Sequence, residues 1–204
     1  MSNNNLLKIY RGLSYLYSDF ESEIFQLNLT IKQEGMPFFL YETYRTPQRQ
    51  KFLYKKGFST ERDFMANPHV NGLAADFLID KRKLGNSTGD SKTIQEIVEQ
   101  TMETMNDTDN RGEVYDIGTN LLPEAGKKER TIVQNALVLY SWNKLGEIIK
   151  NQFPNLTWGG DRALKEGQLI GVDPPHVEFR DAKRLIRNKE SIKQISSKGA
   201  PGLR

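Results

Sequence analysis

Between Leu73 and Ile79 the chain reads Leu-Ala-Ala-Asp-Phe-Leu-Ile, a strand-length segment that is apolar on both faces except for one carboxylate. Side chains alternate along a strand, so Leu73, Ala75, Phe77 and Ile79 share one side and Ala74, Asp76 and Leu78 the other. Asp76 therefore falls in otherwise apolar surroundings. A buried carboxylate needs a partner, and a metal ion is one.

The donors available to such an ion are few. The chain has two histidines, His69 and His176, and no cysteine, so disulfides, thiolate ligands and cysteine nucleophiles are excluded together. Both histidines lie in compact polar clusters, Asn67-Pro68-His69-Val70-Asn71-Gly72 and Asp173-Pro174-Pro175-His176-Val177-Glu178. Two imidazoles and one carboxylate, with a fourth position open, suit a catalytic zinc. His69 and Asp76 are separated by an odd number of residues, which on one straight strand would send them to opposite faces. A turn or bulge at Gly72 swings His69 back over the strand. The Pro174-Pro175 pair favours polyproline II geometry, which projects Asp173 and His176 to one side, one suited to hold a metal and the other to act as a base. There is no His-Glu-x-x-His helix, no G-x-S-x-G elbow and no phosphate-binding glycine loop.

The rest of the chain supplies a scaffold. Leu6, Tyr10, Leu13, Tyr17, Phe20, Ile24, Leu27 and Ile31 recur at four- and three-residue steps, which predicts one long helix closed near Gly35 and facing a core rather than a coiled-coil partner. Pro37 to Arg45 reads as a strand, and a helix follows from Pro47 to about Gly57. Lys81 to Arg130 is polar and reads as a surface insertion with one helical segment between Ile94 and Met105. Its Asp107-Thr108-Asp109-Asn110-Arg111-Gly112 run begins like a calcium loop, but Arg111 takes a ligand position and Gly118 stands where glutamate is needed. Thr131 to Asn151 gives another helical stripe, ended by Pro154, and Leu156–Trp158 and His176–Phe179 read as short strands. The expectation is an α+β fold: one domain over residues 1–180, with a small antiparallel sheet carrying the site, helices around it and the insertion at about 81–130.

Residues 181–204 read as a basic, solvated C-terminal tail: from Lys183 to Arg204, the seven basic residues Lys183, Arg184, Arg187, Lys189, Lys193, Lys198 and Arg204 face the single acid Glu190. Such a tail favours an anionic surface, but the whole-chain net charge of +3 is too small for a dedicated nucleic-acid binder. Met1 to Asn5 lacks the features of a secretory signal and no apolar run is long enough to cross a bilayer, so the expectation is a product synthesised in a cytoplasm.

Four segments, taken in order, carry a resemblance: Tyr44-Arg45-Thr46 with Gln48 and Gln50; His69-x-x-Gly72-x-Ala74-x-Asp76; Trp158-Gly159-Gly160-Asp161; and Asp173-x-x-His176. Together they resemble the zinc peptidoglycan peptidases, a family of D-alanyl-D-alanine carboxypeptidases and dipeptidases and of the L-alanyl-D-glutamate endopeptidases of phage endolysins. The similarity spans roughly Pro37 to Asp80 and Leu156 to Arg180. It implies the D-Ala-D-Ala carboxypeptidase/hedgehog-like zinc fold, zinc on His69, Asp76 and His176, Asp173 as general base and Arg45 as the cation beside the oxyanion. It further implies the bacterial stem peptide as substrate. The lack of secretory features favours a phage lysin or a virion-carried hydrolase acting on the cell wall. Glu178 shares the His176 face, where an orienter of His176 and a solvated strand residue are equally good readings. Three features depart from the family pattern: Asn67 stands where serine is usual, Arg162 stands where an aromatic commonly follows the Trp-Gly-Gly-Asp run, and the polar insertion lengthens the gap to His176. A non-catalytic zinc module of the same fold and a polymer binder working through the basic tail are the readings from other classes.

Overall fold

Phe20, Ile24, Leu27 and Ile31 form the fully buried stripe of the first helix, α1 (Ser18–Gln33), in a computed structural model that describes residues 8–86, 127–163 and 170–203. The helix is shorter than its periodicity predicts. Tyr10 and Leu13 precede it in irregular chain, because this stretch is tied elsewhere: the Tyr10 carbonyl accepts from the Thr43 backbone N–H at 2.7 Å. Tyr10, edge-on, and Tyr15, tilted, then pack around the buried ring of Tyr44, each with its centroid 5.7 Å from it. One heptad-like pattern thus serves two clusters. The α1 stripe is consumed within the chain, which leaves nothing for a coiled-coil partner.

Strand β1 (Phe38–Glu42) follows, then α2 (Pro47–Lys55), whose entry is fixed by Pro47 in its first turn and by Thr46, which accepts from the Arg49 N–H at 3.2 Å. Strand β2 is Ala74–Ile79 and leads into a short 3-10 turn, Lys81–Asn86. The next described helix, α3 (Lys127–Gln152), starts earlier than its apolar stripe suggests. Strands β3 (Leu156–Trp158) and β4 (His176–Phe179) complete the sheet. The predicted helical segment at Ile94–Met105 and the calcium-like loop lie outside the described residues.

The four strands are all antiparallel, in the order β1-β2-β4-β3. One face is apolar: Phe38, Ala75, Phe77, Val177, Leu156 and Trp158 meet the α1 stripe and Leu137, Leu145 and Ile149 of α3. Each large side chain buried there contributes about 1.5–3 kcal/mol relative to exposure, so this face carries most of the stability. The opposite face is polar and carries Asp76, His176 and Glu178. The architecture is therefore α+β, a small antiparallel sheet flanked by helices. No helix among the described residues is long and apolar enough to cross a membrane.

The basic C-terminal segment corrects the expectation of a solvated tail. It folds into α4 (Ala182–Arg187) and α5 (Glu190–Ser197), with Ala182, Leu185, Ser191 and Ile195 buried. Leu185 packs on Leu73, Ile195 packs in the Tyr44 cluster, and the Tyr44 hydroxyl donates to the Pro201 carbonyl at 2.6 Å. The apolar residues that drive this, Ala182 and Leu185 on one helix and Ile195 on the next, are few and outnumbered by charges.

Candidate metal centre

His69, Asp76 and His176 come together on the polar face of the sheet, each offering a ligand atom within 4.8 Å of the others. Asp76 and His176 are direct cross-strand partners in the β2–β4 register, and side chains of such partners lie on the same face. His69 reaches them from the loop before β2. Gly72, at φ +65°, makes the turn: its N–H bonds to the His69 carbonyl and the Leu73 N–H to the Pro68 carbonyl. The loop is braced by side chains, since Asn67 accepts from the His69 N–H at 3.0 Å and Asn71 donates to the Asn67 and Met65 carbonyls.

Gly72 leaves no room for any other residue. A Cβ there would meet the Tyr15 carbonyl oxygen at 2.5 Å, and the left-handed φ is itself unfavourable for an L side chain. Gly72→Ala is expected to destabilise the protein by about 2 kcal/mol, read as a lowered thermal midpoint with weakened metal uptake.

The donor set fits a divalent cation. His69 Nε2 and His176 Nδ1 each lie 3.3 Å from the same oxygen of Asp76. Ligands about 2.0–2.1 Å from a tetrahedral zinc stand roughly 3.3 Å apart, so these separations match that geometry. The remaining ring nitrogens are held by acceptors. His69 Nδ1 is 3.2 Å from the Thr43 carbonyl, and His176 Nε2 is 3.2 Å from Glu178, the carboxylate-to-histidine support usual for metal-binding imidazoles.

The electrostatics agree. Burial would raise the pKa of Asp76, but the adjacent His69 and His176 hold it well below the usual carboxylate range. Burial would lower the pKa of His176, yet its bonds to Asp76 and Glu178 outweigh that and push it up to about 9. Glu178 is also held down, by His176 and Arg162 acting against burial. The cluster is built to hold positive charge.

Asp173 lines the same cavity of about 980 Å³ as the three donors, but Pro174-Pro175 form a turn closed by the His176 N–H on the Asp173 carbonyl at 3.1 Å, not the expected polyproline II segment. Its side chain is half exposed and lies 3.5 Å from Arg162, which also donates to Glu178 at 2.7 Å. The Trp-Gly-Gly motif sets this segment in place. Trp158 donates through Nε1 to the Pro174 carbonyl at 2.8 Å, and Gly159 has no Cβ to collide with the Asp173 carbonyl.

Arg45 borders the cluster, with Nη2 3.4 Å from Asp76, and is buried by further bonds to Gln50 and Glu42. Glu42 is the residue that the sequence reading misses. It is 1% exposed and its carboxylate takes both Arg45 and Arg49. A bulge between Leu40 and Glu42 brings it opposite Asp76, so Glu42, Asp76 and His176 form one row across three strands. The available signal was the spacing of Arg45 and Arg49 behind an acid at a strand end. Comparison of the chain with protein-family models, with curated proteins and with solved structures gives no match.

Proposed function

We propose that the protein is a zinc-dependent peptidase of the bacterial cell wall, cutting the stem peptide between L-alanine and D-glutamate in the manner of a phage endolysin. The observation that carries this reading is the convergence of His69, Asp76 and His176 in one open cavity with the half-exposed carboxylate of Asp173. The motif order His69-x-x-Gly72-x-Ala74-x-Asp76 and Asp173-x-x-His176 supports the choice of substrate.

His69, Asp76 and His176 would hold the ion, oriented by the Thr43 carbonyl and by Glu178. Zinc in such a site supplies a Lewis acid, which acidifies water and polarises a carbonyl. Asp173 takes the proton of the attacking water and returns it to the leaving amine, a role that requires contact with both solvent and substrate. Arg45 stands at the edge of the cluster as the fixed cation nearest to developing negative charge, its guanidinium locked by Glu42 and Gln50. On this reading the protein is made in the cytoplasm of an infected host and acts on the wall afterwards.

Digestion of purified peptidoglycan by the zinc-loaded protein, with mass spectrometry of the fragments, tests the proposal. New L-alanine carboxyl and D-glutamate amino termini are expected. Release of terminal D-alanine alone would make the enzyme a carboxypeptidase instead, and intact muropeptides would remove the enzymatic reading. Asp173→Ala should keep its zinc and lose about 10²–10⁴-fold in rate.

A further inference from the structure

Most charged groups in the cavity are already matched. Arg45 is taken by Glu42 and Asp76, and Arg162 by Asp173 and Glu178. On α4, Arg184 pairs with Asp181 and Glu190. Lys183 and Arg187 differ: they lie four residues apart on one helix face, line the cavity together with Ile186, and make no ion pair among the described residues. The helix that carries them is anchored beneath by buried Ala182 and Leu185, so the two cations stand on a fixed support.

We propose that Lys183 and Arg187 form an anion-recognition subsite of this cavity, which takes the free carboxylate that D-glutamate carries beside the proposed cut. The inference rests on the peptidase reading above and assigns two residues to that carboxylate. Two unmatched cations on one wall of a cleft raise the local concentration of anionic ligands and fix their orientation. The rim supplies complementary apolar contact. Phe58 and Val172 are 78% and 74% exposed, and both line this cavity. A ligand that places aliphatic groups on the rim and a carboxylate at α4 satisfies both surfaces.

The test uses two synthetic peptides, N-acetyl-L-alanyl-γ-D-glutamyl-L-lysinamide with a free glutamate α-carboxylate, and the same peptide with that carboxylate amidated. Binding to the zinc-loaded protein is measured by titration calorimetry and hydrolysis by chromatography. The carboxylate peptide should bind about tenfold more tightly than the amide, and added sodium chloride should erode the difference. Lys183→Gln/Arg187→Gln should bind both peptides alike while keeping its zinc content and circular dichroism, and Lys183→Arg/Arg187→Lys should retain the preference. Equal binding of the two peptides by the unaltered protein, a preference that survives in the double glutamine variant, or no binding at all would overturn the subsite. A preference in binding without hydrolysis would instead remove the peptidase reading and leave the subsite standing. Hydrolysis without preference would do the reverse.

Discussion

His176→Ala is expected to take bound zinc from one equivalent to almost none, and to lower stem-peptide hydrolysis by about 10³-fold or more. Metal analysis after dialysis and the release of new peptide termini measure the two effects. The size follows from the position of His176 in the row. It faces Asp76 across the β2–β4 pair and also reaches Glu178, so its loss removes one donor and strips two partly buried carboxylates of a shared partner. The remaining His69 and Asp76 make a two-ligand site that cannot hold zinc against solvent. Far-ultraviolet circular dichroism should change little, because the apolar face of the sheet does not include this side chain.

Glu42→Ala should instead strike the fold, costing about 3–5 kcal/mol in urea denaturation, since it leaves the guanidiniums of Arg45 and Arg49 buried beside an empty position. The same residue predicts a pH dependence. Burial alone would raise the Glu42 pKa, but Arg45, and then His69 and Arg49, pull it below its ordinary value of 4.5. A carboxylate whose pKa is depressed by folding stabilises the native state fully above its unfolded value. That contribution is lost as pH falls through the depressed folded value. Stability measured from neutral to acid pH should therefore fall more steeply in the unaltered protein than in Glu42→Gln, and parallel curves would show that Glu42 does not act through its charge.

Much of this arrangement is legible from local chemistry. The Ala74–Ile79 strand announces itself by β-favouring residues on two faces, α2 by Thr46 and Pro47, and the turn at Gly72 by the need to bring His69 back over Asp76. The parts that escape are those decided by distant contacts. The stripe from Tyr10 to Ile31 is continuous in sequence, yet the Thr43 backbone captures its first part and delays the helix to Ser18. The C-terminal segment looks solvated because charge is its dominant composition, while its few apolar residues find Leu73 and Tyr44. Glu42 looks like an ordinary acid at a strand end until the bulge in β1 sets it opposite Asp76.

The β2–β4 pairing joins Asp76 to His176 across a sequence separation of 100 residues. Closing so long a loop is an entropically late event in folding, and contacts of this range form only when most of the chain has found its place. A partly folded chain therefore has no complete set of donors. Ion capture would be reserved for the finished molecule, and an ion held by these three donors would lock the last step of assembly.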